Sequence, residues 1–311
     1  MAATLTDEYA VLTTGCGLVD RSDRGKLALT GADAREFLNG QVTNDVTALR
    51  PGDGCYAAFL THKGKMRGDL RILDAGDELL LDTERVSLQA LFDMIRRFSV
   101  GYQVELHKRT LERALFSLIG PRCGEAVPVV PSPEHAHLVT EIGGARARVI
   151  DTDDGVDVLC DAADAERVRA ALLAAGAEEV SADAAEIVRV ERGRPRYGID
   201  MDDATIPEEA ALNDRAVSFT KGCYVGQETV ARLHWKGKPN RRLRGLRLSA
   251  PADAGSPLRL GGKEVGRLGS SVVSPRHGPI ALAIVRREAE PGDVLAVGDG
   301  DVSATVVELP F

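Results

Sequence analysis

The sequence predicts an α+β protein made of two related ferredoxin-like α/β domains followed by a C-terminal antiparallel β domain. Two observations carry this. An order of strands and helices found in the first hundred residues recurs in the next, and after residue 240 the chain changes to short apolar segments divided by Gly and Pro turns. A chain of 311 residues with 44% apolar and 28% charged residues is long and apolar enough for more than one core. The expected boundaries are 1–110 for the first α+β domain, 111–240 for the second, which can interleave with the first, and 241–311 for the β domain.

In chain order, residues 1–26 are short and mixed, and are expected to lead into the first domain along its surface. KLALTG (26–31) reads as a strand, and Ala32 to Gly40 as a helix with Phe37 and Leu38 on its apolar side. CYAAFLT (55–61) and MRGDLRILDA (66–75) read as strands joined by a turn at 62–65, and ELLLDTE (78–84) as another. Ser87 to Phe98 has Leu88, Leu91, Ile95 and Phe98 on one helical stripe, and YQVELHK (102–108) closes the unit. The second copy begins with RALFSLIG (113–120), whose terminal glycine matches that of LALTG. Strand-like runs follow near 137–142 and 145–150; VDVLCDA (156–162) matches ELLLDTE, and Ala165 to Ala175 matches the later helix. Residues 184–220 form a bridge, a helix and then a Gly-, Pro- and charge-rich stretch of the kind that carries function. The segments after 241 suit a small all-β barrel or sandwich.

Some classes drop out early. No apolar run approaches membrane-spanning length, and MAATLTDEYAVL lacks the basic start and apolar block of a signal peptide, so a cytoplasmic protein is expected. The five cysteines are scattered without a CxxC pair, which suggests neither a disulfide framework nor a zinc site, and His135 and His137 read as structural or solvated. There is no P-loop, dinucleotide fingerprint or Ser–His–Asp pattern. Net charge is −8, which speaks against general nucleic-acid binding, yet Lys221 to Arg247 holds eight Lys or Arg and one acid. Such a run could be a solvated loop, a phosphate-tracking surface or a site for a ligand with several carboxylates.

The stretch with the most chemistry is FTKGCYVGQETVARLHW (219–235). Cys223 lies between Gly222 and Gly226, after Lys221 and just before a helix expected to start at Gly226. A helix N-terminus, Lys221 and possible help from Arg232 and Lys236 would favour a thiolate; the plain alternative is a small buried side chain. Glu191, in RVERGRPRYG, suits a planar ligand edge with two adjacent N–H donors, such as a pterin, or else an ion pair with a neighbouring arginine. Asp69 and the pair Asp202–Asp203 are possible acid/base groups, although alternation along the strand puts Asp69 on a solvated face by default. Asn39, Gln41, Thr43, Asn44 and Asp45 make a polar turn that is either plain turn chemistry or a cavity wall.

KGCYVGQE (221–228) resembles the signature of the YgfZ family of folate-binding proteins, relatives of the glycine cleavage T-protein (aminomethyltransferase). FLNGQVTNDV (37–46), RVERGRPRYGIDMDDATIPEEA (189–210) and GKEVGRLGSSVVSPRHGPIALAIV (262–285) resemble the same superfamily. The resemblance implies two α+β domains and a C-terminal antiparallel β-barrel around a central channel that holds tetrahydrofolate. Carried over by residue, Glu191 meets the pterin ring, with Tyr197 beside it; Asn44 and Asp45 line the folate channel; Cys223 and Lys221 form the functional loop. Arg241, with Arg242 and Arg244, is a partner for the folate glutamate tail. T-proteins carry paired aspartates in a GG-x-x-DD-L stretch, whereas GKMRGDL offers only Asp69, and T-proteins lack the cysteine motif. The resemblance therefore implies an accessory protein for iron–sulfur enzymes, including tRNA-modifying radical-SAM enzymes as clients, with tetrahydrofolate bound. The alternative it leaves is a folate-dependent aminomethyltransferase or demethylase.

Overall fold

The computed structural model describes residues 4–311. The chain folds as two compact units: one holds the chain through Leu60, Arg67–Ala185 and Arg215–Val225; the other holds Thr61–Met66, Glu186–Asp214 and Gly226–Phe311.

The first unit is built on two sheets. Its opening elements are α1 (Leu5–Thr14), β1 (Gly17–Asp20), β2 (Gly25–Thr30), α2 (Ala34–Gln41) and β3 (Gly54–Leu60). Next come β4 (Met66–Asp74), β5 (Leu79–Thr83), α3 (Leu88–Phe98) and β6 (Glu105–Lys108). The repeat then supplies β7 (Arg113–Ile119), β8 (His137–Ile142), β9 (Ala145–Thr152), β10 (Gly155–Asp161), α4 (Ala165–Ala174) and the short β11 (Glu178–Glu179). One sheet has the order β3-β4-β5-β2-β6, the other β11-β1-β7-β10-β9-β8. The internal repeat is therefore topological: β3-β4-β5-β2 and β8-β9-β10-β7 follow the same path. A helix covers one face of each sheet. Leu91, Met94 and Ile95 of α3 seal the first core with Phe37, Phe59, Leu70 and Ile72, and Val168 and Leu172 of α4 join Phe116, Val149 and Val158 in the second. The sheets' other faces meet through Ala28, Leu73, Leu80, Ile150 and Leu159.

Two expectations need correction. Within residues 4–26 the expected surface lead-in is not found, because β1 pairs antiparallel with β7 and parallel with β11 and so belongs to the sheet of the repeat's second copy; residues 1–3 lie outside the described residues. On α3 the stripe ends early: Phe98 is 43% exposed, with Arg97 over its ring.

In the second unit the bridge supplies the end of α5 (Ala182–Glu191) and the start of α6 (Asn213–Ala216), and α7 (Gln227–Lys236) starts one residue after Gly226, at the predicted place. Gly226 has φ +86°, a conformation that lacks the penalty a Cβ would bring. The remaining strands are β12 (Arg241–Leu248), β13 (Pro257–Leu260), β14 (Lys263–Arg267), β15 (Ser271–Ser274), β16 (Gly278–Arg286), β17 (Val294–Val297) and β18 (Ser303–Val307). Their order is β12-β18-β17-β13-β14-β16, and β12 pairs with β16 to close an antiparallel barrel, with β15 appended to β16. Of the barrel and sandwich alternatives, the barrel is the one formed. Alternating inward residues such as Leu246, Leu248, Leu258, Val265 and Ala283 fill it.

Candidate active site

Asp69 is the residue on which the structure departs most usefully from the sequence. Its strand, β4, has no solvated face: Leu70 and Ile72 point into the helix-covered core, while Asp69, Arg71 and Leu73 point toward the second sheet. The strict alternation was right and the assumption that one face meets water was wrong, as is usual for a sheet covered on both sides. Gly68 prepares the position, because a Cβ there would lie 2.5 Å from the Phe59 ring and its φ is +153°.

Asp69 is 7% exposed. The Tyr56 hydroxyl, on β3, donates to its Oδ2, and its Oδ1 is buried with no hydrogen-bond partner. Burial is the main reason its pKa is pushed up to about 6, with Tyr56 acting in the opposite direction and Glu84 adding to the rise. The Tyr56 phenol is itself raised well above its ordinary range, by burial and then by Asp69, so it remains a neutral donor. The nearby charges are compensated. Arg24 pairs with Asp82 at 2.7 Å and with Glu84, and Arg71 bridges Asp82 at 2.8 Å and Asp157 at 2.6 Å.

Segment 215–225 is stitched to the polar turn after α2. Thr43 Oγ1 donates to Ala216 O, and Ser218 N donates to Thr43 O. Asn44 Nδ2 donates to Tyr56 O at 2.8 Å and to Arg215 O at 3.4 Å, and Asp45 Oδ1 accepts from Thr47 N, Thr47 Oγ1 and Ala48 N. Asn44 thus acts as a clip and Asp45 as a turn cap. Lys221 is buried, and its ammonium donates to Asn39 O (2.5 Å), Val42 O (2.9 Å) and Asn44 O (2.7 Å). These three bonds use all its donors, so its geometry is that of a clamp on the turn and not of a partner for the thiol. Burial pulls its pKa down to about 8, against the opposing pull of Asp45.

In the motif loop Lys221 and Tyr224 go in, with Nζ 5.2 Å from the Tyr224 ring centre, while Gly222 and Cys223 between them stay exposed. Val225 N, donating to Gly40 O at 3.2 Å, fixes the other side. Cys223 is therefore presented to solvent, and the buried-cysteine alternative is excluded.

The other expected residues lie in the second unit. Glu191 ends α5; its Oε1 accepts from Ser274 Oγ, which in turn accepts from Arg276 N and His277 N. Tyr197 forms a bridge with Met201. Arg241 grips the buried Glu209 with Nε (3.1 Å) and Nη2 (2.8 Å) and donates to Ala204 O, so its fork is already engaged. It lines a cavity of about 1250 Å³ together with Lys65, Ile199, Asp202 and Arg286. Asp202 accepts from Ala204 N and Thr205 Oγ1 as a turn residue, and Asp203 is exposed. Two residues the sequence did not single out belong with Asp69, namely Tyr56 and Arg215. A phenol within the apolar run CYAAFLT was the available signal for the first.

Comparison with known proteins bears on the family and the fold. Residues 1–221 match the GCVT N-terminal domain, and residues 241–311 match the glycine cleavage T-protein C-terminal barrel domain. The chain belongs to the glycine cleavage T-protein superfamily. Among its relatives, an aminomethyltransferase of Rubrobacter xylanophilus is 30% identical over 98% of this chain and 85% of its own. An aminomethyltransferase of Geobacillus kaustophilus is 29% identical over 99% and 90%. The crystal structure of glycine cleavage system aminomethyltransferase T from Bartonella henselae superposes with a TM-score of 0.87 at 23% identity, covering 98% of this chain and 89% of that one, which establishes the shared fold. Among the described residues, no helix is long and apolar enough to cross a membrane.

Proposed function

We propose that this T-protein relative binds a reduced folate, tetrahydrofolate or a derivative, and uses Asp69 to take up and return a proton as a one-carbon unit is transferred. The observation that carries the reading is the Asp69 carboxyl, with one oxygen held by Tyr56 and the other buried without a partner. A buried orphan acceptor is costly, and an N–H of a bound ligand would relieve that cost. A carboxyl with a pKa of about 6 can exchange a proton near neutrality, which an ordinary aspartate does poorly. A reduced folate, when bound, supplies the nitrogen that carries the one-carbon unit. GKMRGDL places a single acid at this point of the strand, so the proton handling falls to Asp69 alone.

The test is calorimetric titration with tetrahydrofolate alongside formation of 5,10-methylenetetrahydrofolate from an aminomethyl donor. Asp69→Asn should bind tetrahydrofolate within a few-fold of wild type and lose turnover by about 100-fold or more. Unchanged turnover in Asp69→Asn would exclude the assignment.

The exposed Cys223 supports a second reading, in which the folate-bound protein serves iron–sulfur client enzymes through that thiol. Lys221 and Val225 anchor the loop on either side of Cys223, an arrangement suited to presenting a side chain to a partner. Cys223→Ser separates the two readings. Intact methylene transfer with failing client enzymes in cells supports the second; failure of transfer itself counts against it.

A further inference from the structure

We propose that Tyr56 and Arg215 are positioning residues for Asp69: Tyr56 holds one carboxylate oxygen, Arg215 holds Tyr56, and the other oxygen is left to accept the proton of the reacting nitrogen. The inference rests on the transfer reading above and goes beyond it by naming the groups that make Asp69 a directional acceptor.

Three contacts converge on Tyr56. Its hydroxyl donates to Asp69 Oδ2. The Arg215 guanidinium carbon lies 5.7 Å from the centre of its ring, within the range for a cation over an aromatic face. Its main-chain carbonyl and that of Arg215 both accept from Asn44 Nδ2, which ties β3 to the segment carrying the arginine. Arg215 is held from its other side, with Nη2 2.6 Å from Glu134 Oε1 and 3.0 Å from Asp153 Oδ2. The phenol is thus fixed at both ends, and its proton points at a single carboxylate oxygen.

The electrostatics point the same way. A cation beside the ring makes the hydroxyl a stronger donor, and a stronger donor favours the ionised carboxylate. The other groups acting on Asp69 are Glu84, which opposes ionisation, and Arg24, which favours it. Arg24 is committed to Asp82 and Glu84, so it offers Asp69 no direct hydrogen bond. Tyr56 is the side chain that determines which of the two oxygens is occupied.

The experiment is ¹³C NMR of Asp-labelled full-length protein without folate, with the Asp69 carboxyl signal assigned by its loss in Asp69→Asn. Tyr56→Phe should move the Asp69 midpoint upward by about one pH unit, as expected for loss of a hydrogen bond to the charged form. Arg215→Met should move it the same way by about half a unit, and Arg215→Lys should restore most of that shift by keeping a cation near the ring. In the transfer assay the acid limb of the pH–rate profile should shift by the same increments. An Asp69 midpoint that stays put in Tyr56→Phe overturns the proposal whatever the activity shows. Shifted midpoints in a protein without transfer activity uphold the positioning of Asp69 and overturn the transfer reading alone.

Discussion

Replacing Asp69 by asparagine should stabilise the protein above neutral pH while removing its proposed activity. The carboxyl titrates at about 6 in the fold against an ordinary value of 3.8, a rise due chiefly to burial. A carboxyl with a raised folded-state pKa favours folding below its unfolded value and loses that contribution as pH rises through the folded value. At pH 8 the ionised group therefore costs up to about 3 kcal/mol, two units at 1.36 kcal/mol each. Asparagine keeps an acceptor for the Tyr56 hydroxyl but brings an amide donor that needs a partner, at about 1 kcal/mol or more. The net expectation is a gain of about 1–2 kcal/mol at pH 8 that vanishes or reverses by pH 4, where wild-type Asp69 is protonated. Urea unfolding followed by circular dichroism at both pH values measures it. A stability difference that does not change with pH would mean that Asp69 is not held in its charged form against a burial penalty, and the proton-exchange argument would fall with it.

Other outcomes follow from neighbouring residues. His135 and His137 are both lowered to about 4, chiefly by burial and then by Arg71 and Arg148 respectively, so they fold neutral. Their contribution is present above about pH 6.5 and is lost as pH falls toward 4, the opposite sense to Asp69; His137→Gln should flatten that part of the stability profile by about 2 kcal/mol. Lys221→Met should destabilise the fold by about 2–4 kcal/mol by leaving the carbonyls of Asn39, Val42 and Asn44 without a donor, measurable by the same unfolding assay. Native-state alkylation should label Cys223 first. Cys16, Cys123 and Cys160 are buried, and the Cys55 thiol is pushed up to about 12 by burial, so a second thiol reacting equally fast would contradict the packing.

The fold was readable wherever it depended on periodicity. The paired glycines Gly31 and Gly120, the runs ELLLDTE and VDVLCDA and the turn-divided barrel strands all carry their structure locally, and the resulting sheets repeat one path. What could not be read was which strand goes where when the partner is distant in sequence. GLVD of β1 looks like a lead-in, and only the register with Ser117 and Leu118 shows that it completes the sheet of the second repeat. The same limit governed the site. Asp69 read as solvated because nothing near it in sequence shows that a second sheet covers β4, and Arg215 meets Tyr56 across 159 residues of chain.

Lys221 and Cys223 show how two residues close in sequence can be turned to different tasks by the fold. A lysine two residues before a cysteine suggests electrostatic activation, because sequence shows proximity along the chain and not direction. Strict alternation would place both on one side, but the loop does not alternate residue by residue: Lys221 goes inward while Gly222 and Cys223 stay exposed. The charge of Lys221 is thereby committed to the turn that also carries Asn44, and Asn44 clips Tyr56, the partner of Asp69. The cysteine motif and the acid site are thus linked through main-chain carbonyls in one unit, so a change at Lys221 should disturb Asp69 through Tyr56 before it disturbs the thiol. An upward shift of the Asp69 midpoint in Lys221→Met, with the rate of Cys223 alkylation unchanged, is the result this connection requires, and the reverse pattern would sever it.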